Sequence, residues 1–353
     1  MDIANKLSKD YDITIFTIYA NGELEKELSQ NVKVQTICNK SYQQLNKFQR
    51  KITMPLKILL LKKYLGKKYL KNKYDVEIAF LEGPITRIFS YKNPNATKIA
   101  WIHNDMSQVF GKGFKAKLKR VLDKKIYQKY DRLIFVSKDN LEKFNKLYPE
   151  IKVDKEVIYN YIDKEKVLKK AEDGQDIEFD KNIINFVTVT RLVEQKAIDR
   201  LIKVHKKLID NGYYHKIYVI GDGPERQKLE NLVKESNLNN TFILLGQKEN
   251  PYPYIKSATY FCLLSNFEGY PMVLEEAKII NKFIIITNTA SREVVEDYKN
   301  SIILENNEED IFEGLKNIIE NNEKLEKDML ENGVNDVNSY DNENLIDKIK
   351  KVI

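Results

Sequence analysis

Cysteine is almost absent from this chain of 353 residues: Cys38 and Cys262 are the only two, and they stand far apart. That spacing suggests neither a disulfide framework nor a thiolate metal site. Histidine is nearly as scarce. His103, His205 and His215 come with no clustered Cys/His ligands, so no bound metal is expected. No stretch approaches the ~18 uninterrupted apolar residues of a membrane span, and no secretory signal is recognisable, so a cytoplasmic protein is expected. Two chemistry-bearing motifs are missing, the phosphate loop G-x-x-x-x-G-K-[ST] and the nucleophile elbow G-x-S-x-G. Glycine is missing from the start: none of the thirteen precedes Gly22.

What is present is material for two cores. The composition is 42% hydrophobic and 10% aromatic, and 353 residues exceed one ordinary core. Charge is shared unevenly. Residues 1–160 carry 32 Lys+Arg against 17 Asp+Glu, a net of +15, and the remainder carries 27 against 35, a net of −8. Such asymmetry supports two bodies with different electrostatic duties.

Short apolar runs separated by helical or charged segments predict strands at Ile13–Ile18, Val32–Ile37, Val76–Phe80, Lys98–Ile102, Arg132–Val136 and Glu156–Ile158. The second half repeats the plan, with strands at Ile184–Val189, Lys216–Ile220, Thr241–Leu245, Tyr260–Leu264 and Phe283–Ile286. Helices alternate with them near Ile198–Asn211, Glu225–Ser236, Met272–Ile280, Arg292–Asp297 and Asp310–Glu320. This alternation predicts an α/β protein of two Rossmann-like, doubly wound domains. The expected boundaries are a basic domain over 1–164, a linker over 165–182, a second domain over 183–335 and a terminal helix over 336–353. The linker assignment rests on charge, on Gly174 and on missing apolar periodicity.

The stretch Ser265-Asn-Phe-Glu-Gly-Tyr-Pro-Met-Val-Leu-Glu-Glu-Ala277 carries the most information. It follows a buried strand and runs into a helix, with Pro271 suited to the first helical turn. Glu268 therefore hangs at a strand's carboxyl end and Glu276 lies in the first turns of the next helix. Open α/β sheets bind ligands in that crevice. Two carboxylates there suit a ligand rich in hydroxyls, such as a sugar and a ribose. Glu275 competes with Glu276 for the inward position, since neighbours on a helix differ by about 100°. Upstream, Thr190-Arg-Leu-Val-Glu-Gln-Lys-Ala197 follows another strand. Arg191 leaves the strand end and Lys196 precedes a helix, an arrangement that makes an anion site. Gly221-Asp-Gly-Pro-Glu225 also joins a strand to a helix. Its lone G-x-G is as readily a tight turn as a ligand contact.

The block from Glu268 to Glu276 resembles the E-x7-E signature of the family 4 retaining glycosyltransferases, which have the GT-B fold. Its companions stand at matching distances, so the resemblance covers nearly the whole chain. It implies two Rossmann-like domains facing across a cleft, with the last helix crossing back onto the first domain. It implies that Arg191 and Lys196 hold the diphosphate of a nucleotide-sugar, that Glu268 faces the transferred sugar, and that Glu276 takes the ribose. Backbone from Gly269 through Tyr270 and Pro271 to Met272 would approach phosphate or sugar, and the turn at Gly221 and Gly223 would lie beside the nucleotide. The loop Gly246–Tyr254 would pass the base. His103, ending the strand before Asn104 and Asp105, resembles the family histidine near the reacting sugar. Glu82-Gly-Pro84 looks like an acceptor-side loop, and Ser137 and Asn160 close further strands. No metal and no separate cofactor are implied. Two departures stand out: Ala197 occupies a position usually held by glycine, and the first strand with its glycine-rich turn is missing.

From Lys47 to Lys73 there are ten Lys/Arg and no acid, with leucines and isoleucines interleaved; a second basic cluster runs Lys112–Lys129 against Asp123 alone. This composition suits an anionic lipid surface. Nucleic-acid binding is not expected. The resulting expectation is a cytoplasmic, peripheral membrane enzyme. It moves a hexose or N-acetylhexosamine from a nucleotide-diphosphate sugar, with UDP favoured, to a lipid-linked or glycan acceptor in bacterial capsule or surface polysaccharide assembly. The alternatives are a sugar-nucleotide epimerase of the same fold, and an inactive membrane-bound scaffold acting with partner subunits.

Overall fold

The computed structural model describes residues 1–20, 22–41, 43–46, 48–53, 73–91, 93–109, 113–173, 179–180, 182–332 and 342–353. The chain divides into two compact units, one of Met1–Tyr161 with Asn342–Ile353, the other of Ile162–Asp341. Most of the lysine-rich run between Lys47 and Lys73 lies outside the described residues.

In the first unit, β3 (Val76–Ala79), β4 (Thr97–Ile102), β5 (Arg132–Phe135) and β6 (Asp154–Val157) form a parallel sheet in that order. Ile99, Ala100, Trp101 and Ile102 are all buried, the uninterrupted apolar run expected of a parallel strand covered on both faces. Tyr127, Phe135, Phe144 and Tyr148 pack edge-on or tilted against one another beside it. At the amino ends of these strands Glu77 and Lys98 are cross-strand partners, buried with Asn93 and bonded to the half-buried Tyr91. Burial pulls the Lys98 ammonium down to about 8.

One expectation for this unit is corrected. A single doubly wound sheet is expected, but among the described residues β1 (Thr14–Tyr19) and β2 (Lys33–Cys38) pair only with each other, as a parallel ribbon. β1 is half-buried along its whole length, as suits a strand hydrogen-bonded on one side among the described residues. The one Asp-x-Asp sequence, Asp10-Tyr11-Asp12, has its carboxylates on Lys350 and Lys33. The helix Asn342–Val352, which carries Lys350, belongs to this unit and buries Ile346, Ile349 and Val352 at spacings of three.

The second unit is a six-stranded parallel sheet in the order β12-β11-β10-β7-β8-β9. The strands are β7 (Asn185–Val189), β8 (Lys216–Ile220), β9 (Phe242–Gly246), β10 (Tyr260–Leu263), β11 (Phe283–Thr287) and β12 (Ser301–Leu304). The chain winds outward from β7 through β8 to β9, then returns to the other side of β7 with β10. The winding direction therefore reverses between β7 and β10, and the carboxyl ends of these two strands flank the switch point.

Three further differences have simple causes. The helix Lys164–Glu172, capped by the Asp163 side chain, takes up the first part of the expected linker. Val167 and Ala171, four apart, bury one narrow stripe, and Val167 packs with Ile162 and Ile279; two apolar residues give too weak a periodicity to read. Within the stretch expected to be the base-side loop, Tyr252 begins a helix that ends at Ser257, started after Pro251. Its loop is tied down by Asn250, which donates to the Lys170 carbonyl at 2.7 Å. β12 was not anticipated: it is a four-residue edge strand, largely open to solvent on one side.

Candidate functional site

Both chemistry-bearing loops leave the sheet at the switch point. After β7 the chain passes Thr190 and Arg191, makes a short 3-10 turn over Glu194–Lys196, and enters the helix Ile198–Asp210 through Ala197. Ala197 sits in the left-handed region at φ 51°. Glycine takes that conformation without steric cost, which gives a physical reason for the family's usual residue there.

The glycines of Gly221-Asp222-Gly223 are required by the same loop. A Cβ on Gly221 would lie 1.8 Å from the Thr190 carbonyl oxygen, and one on Gly223 would lie 2.4 Å from that of Leu192. Leu192 N–H donates to the Asp222 carbonyl at 3.0 Å, and Glu225 N–H donates back to the Leu192 carbonyl at 3.1 Å. The turn therefore clasps the segment that carries Arg191. Its glycines serve close backbone packing in this structure. The Arg191 side chain is exposed, and no hydrogen bond or ion pair engages it among the described residues.

After β10 the loop runs Leu264 to Pro271 into the helix Met272–Ile279. Pro271 stands one residue before the first helical residue instead of within the first turn. Glu268 is 5% exposed, and its Oε1 accepts from Lys196 Nζ at 2.6 Å. A carboxylate this deeply buried needs such a partner. The Lys196 side chain in turn is 14% exposed, so the pair is largely shielded from solvent. Gly269 and Tyr270 are buried, while Met272 is exposed.

The register of the two following glutamates is clear. Glu275 is 3% exposed; the Tyr270 hydroxyl donates to its Oε1 at 2.5 Å, and Lys278 Nζ lies 3.3 Å from its Oε2. Glu275 thus anchors the Gly269–Met272 segment from inside. Glu276, about 100° further round the helix, is half-buried.

The remaining predicted residues belong to the first unit. His103 stands just beyond β4, with its backbone N–H donating to Glu82 Oε2 at 3.0 Å and its ring 4.8 Å from that of Phe80. Its Nε2 is buried without a hydrogen-bond partner. Burial lowers its pKa, against a smaller opposing pull from Glu82, so the ring is neutral at pH 7. Asn104 also donates to Glu82. Ser137 caps the helix Lys138–Leu147 by accepting from Asn140 N–H, a structural duty. Among the described residues no group of three or more His, Cys, Asp and Glu is placed to hold a metal.

The fold consists of two Rossmann-like α/β units, as in the GT-B glycosyltransferases, and the switch point of the second carries a buried Lys–Glu pair beside an open arginine. The family model for glycosyl transferases group 1 matches residues 169–336. An uncharacterized glycosyltransferase of Methanocaldococcus jannaschii is 30% identical over 309 residues, covering 83% of this chain and 82% of that protein. The chain belongs to the glycosyl transferases group 1 family. The N-acetylgalactosamine-N,N'-diacetylbacillosaminyl-diphospho-undecaprenol 4-alpha-N-acetylgalactosaminyltransferase of Campylobacter jejuni is 31% identical over 217 residues, 61% of this chain. That match spans 57% of the Campylobacter protein, and another curated relative is spanned over 53% of its length. In fold, the chain resembles an Anabaena protein crystallised with UDP and glucose, with TM-score 0.74 at 14% identity, covering 99% of this chain and 93% of that one.

Proposed function

We propose that this chain is a metal-independent, retaining glycosyltransferase. It moves a hexose or N-acetylhexosamine from a nucleotide-diphosphate sugar, with UDP as the nucleotide, to a lipid-linked or oligosaccharide acceptor in surface polysaccharide assembly. One observation carries the reading: the buried Lys196–Glu268 pair beside the open Arg191 at the carboxyl ends of β7 and β10. Arg191 and Lys196 would neutralise the diphosphate as the bond from the anomeric carbon to its oxygen breaks. The acceptor oxygen forms the new bond on the same face, and its proton passes to the departing diphosphate. Glu268 faces the transferred sugar, Glu276 accepts from the ribose hydroxyls, and His103 offers its unpaired Nε2 to a sugar hydroxyl. The Campylobacter relative's diphospho-undecaprenol substrate supports a lipid-linked acceptor, and the Anabaena likeness supports UDP.

Incubation with UDP-sugars and a polyprenyl-diphosphate glycan should release UDP and give a product with the donor's anomeric configuration. Inverted product, or release of UDP from no donor, contradicts the reading. The two helix glutamates give a sharper check. Glu276→Gln should weaken UDP binding about tenfold by removing charge-assisted hydrogen bonds. Glu275→Gln keeps an acceptor for Tyr270 and should leave UDP affinity within about twofold. Calorimetry showing the opposite order would overturn the assignment of the ribose to Glu276.

The enzyme is further proposed to work on the inner face of the cell membrane. Leu118, Val121 and Leu122, at helical spacing on Phe114–Tyr127, are each more than half exposed. Lys119, Lys125 and Lys129 are also exposed. Asp123, the one acid here, is turned inside and accepts from Arg87 at 2.8 Å. An apolar stripe flanked by cations with the acid withdrawn fits an anionic bilayer. Replacing the three lysines by Ser should weaken sedimentation with phosphatidylglycerol vesicles about 100-fold, at roughly 1 kcal/mol per cation. Binding insensitive to these changes and to added salt would exclude this docking.

A further inference from the structure

The loop that carries Glu268 is held in an unusual way. Four successive backbone carbonyls each accept from a side chain, and the four donors come from four different segments. Arg200 Nη2 donates to Leu264 O at 2.7 Å, Thr287 Oγ1 to Ser265 O at 2.7 Å, Asn306 Nδ2 to Asn266 O at 2.7 Å, and Gln195 Nε2 to Phe267 O at 3.0 Å. Strand-end loops ordinarily leave such carbonyls to water. Gln195 grips twice, because its own carbonyl accepts from Asn266 N–H at 2.9 Å. The next residues complete the register: Lys196 meets Glu268 at 2.6 Å. Two consecutive residues of the β7 loop thus hold two consecutive residues of the β10 loop.

We propose that Gln195 is a positioning residue, whose amide fixes the Phe267 carbonyl and thereby the aim of the Glu268 carboxylate. The proposal rests on the reading of Glu268 as the group facing the transferred sugar. The physical need arises when donor binds. Lys196, until then neutralising Glu268, is drawn toward two phosphates. Its pull on the carboxylate weakens, and a loop tied only by that ion pair would follow the ammonium or relax. The Gln195 clamp is independent of charge and keeps the carboxylate in place while the lysine is shared. Loss of the clamp should therefore be felt in turnover more than in nucleotide binding, since small misplacements of a positioned group are costly to chemistry.

The test uses the full-length protein and Gln195→Met, which keeps the side-chain volume and loses the donor. With UDP in calorimetry, and a UDP-sugar that the parent turns over, kcat should fall ~10–100-fold. KM for donor and Kd for UDP should stay within about threefold. Hydrogen–deuterium exchange over 264–272 in the unliganded protein should quicken. A tenfold loss of UDP affinity alongside kcat would overturn the proposal in favour of a general phosphate-site role. So would unchanged kcat with or without faster exchange. If the parent releases UDP from no donor, the proposed function falls, and the clamp is then judged on exchange alone: faster exchange supports it and unchanged exchange sinks it.

Discussion

Lys196→Ala is expected to lower unfolding stability by about 3 kcal/mol, because it leaves the Glu268 carboxylate buried without its counter-charge. Glu268→Gln removes the charge and keeps an acceptor for Lys196, so it should cost under about 1 kcal/mol. The double variant then separates the causes. If the cost lies in the unpaired carboxylate, Lys196→Ala with Glu268→Gln should be more stable than Lys196→Ala alone. Turnover behaves differently. Each single variant should lose ~100–1000-fold in kcat, the scale of one electrostatic group acting on developing charge, and the double variant should not regain it. Denaturant midpoints give the stability order, and UDP release gives the turnover. A Lys196→Ala protein as stable and active as its parent would show that the pair is incidental.

The second large effect is a loss of stability in mild acid. His205 occupies a place in the buried stripe Ile198, Leu201, Ile202, Leu208 of its helix. Its Nδ1 lies 2.8 Å from His215 Nε2, its Nε2 lies 2.9 Å from the Thr241 hydroxyl, and His215 Nδ1 lies 2.8 Å from the Tyr213 carbonyl. A carbonyl only accepts, so His215 carries its proton on Nδ1. His205 must then donate from Nδ1 and accept from Thr241 at Nε2. One proton order satisfies these three contacts with both rings neutral, the Thr241 proton going to His205 and not to the longer Leu238 carbonyl contact at 3.4 Å. Burial pushes His205 down to about 2 and His215 to about 4, against about 6.5 when unfolded. Below pH 6.5 the unfolded chain binds protons that the folded chain refuses. Stability is therefore full above that pH, and falls as pH drops through 6.5 toward 4 for His215 and toward 2 for His205.

At up to about 1.4 kcal/mol per pH unit for each ring, the pair withdraws roughly 3 kcal/mol between pH 6.5 and pH 5. That is a large share of an ordinary domain's stability. His205→Gln keeps one donor and one acceptor and should about halve the slope contributed by the pair. His103 acts in the same direction in the first unit, so the comparison of parent with variant isolates the effect. Equal slopes for the two proteins between pH 7 and 5 would refute the assignment of neutral, acid-sensitive rings.

Much of the fold was legible because buried parallel strands are unbroken apolar runs. All eleven expected strands, from Ile13–Ile18 to Phe283–Ile286, fall on strands of the structure, though Val32–Ile37 and Glu156–Ile158 are interrupted by polar residues. β12 escaped because its apolar run, Ile302 to Leu304, is only three residues long. The helix Lys164–Glu172 escaped because its stripe is two residues wide at most. The split of the first unit's strands into a sheet and a ribbon depends on which edges meet, and periodicity carries nothing about that. Within the candidate site, the motif marked Glu268 and the cations, but their contact joins residues 72 apart in sequence. Which of Glu275 and Glu276 is buried depends on the helix register, and the partners Tyr270 and Lys278 that hold Glu275 inside appear only in three dimensions. Gln195, Asn306 and Thr287 had no signal at all, since each acts on a backbone carbonyl that any residue could supply.

The most direct test of the central claim is a crystal structure of the protein with UDP. The diphosphate should lie within hydrogen-bond distance of Arg191 and Lys196, between the carboxyl ends of β7 and β10, with the ribose hydroxyls on Glu276. UDP bound elsewhere, with the Lys196–Glu268 pair untouched and Arg191 still without a partner, would contradict it.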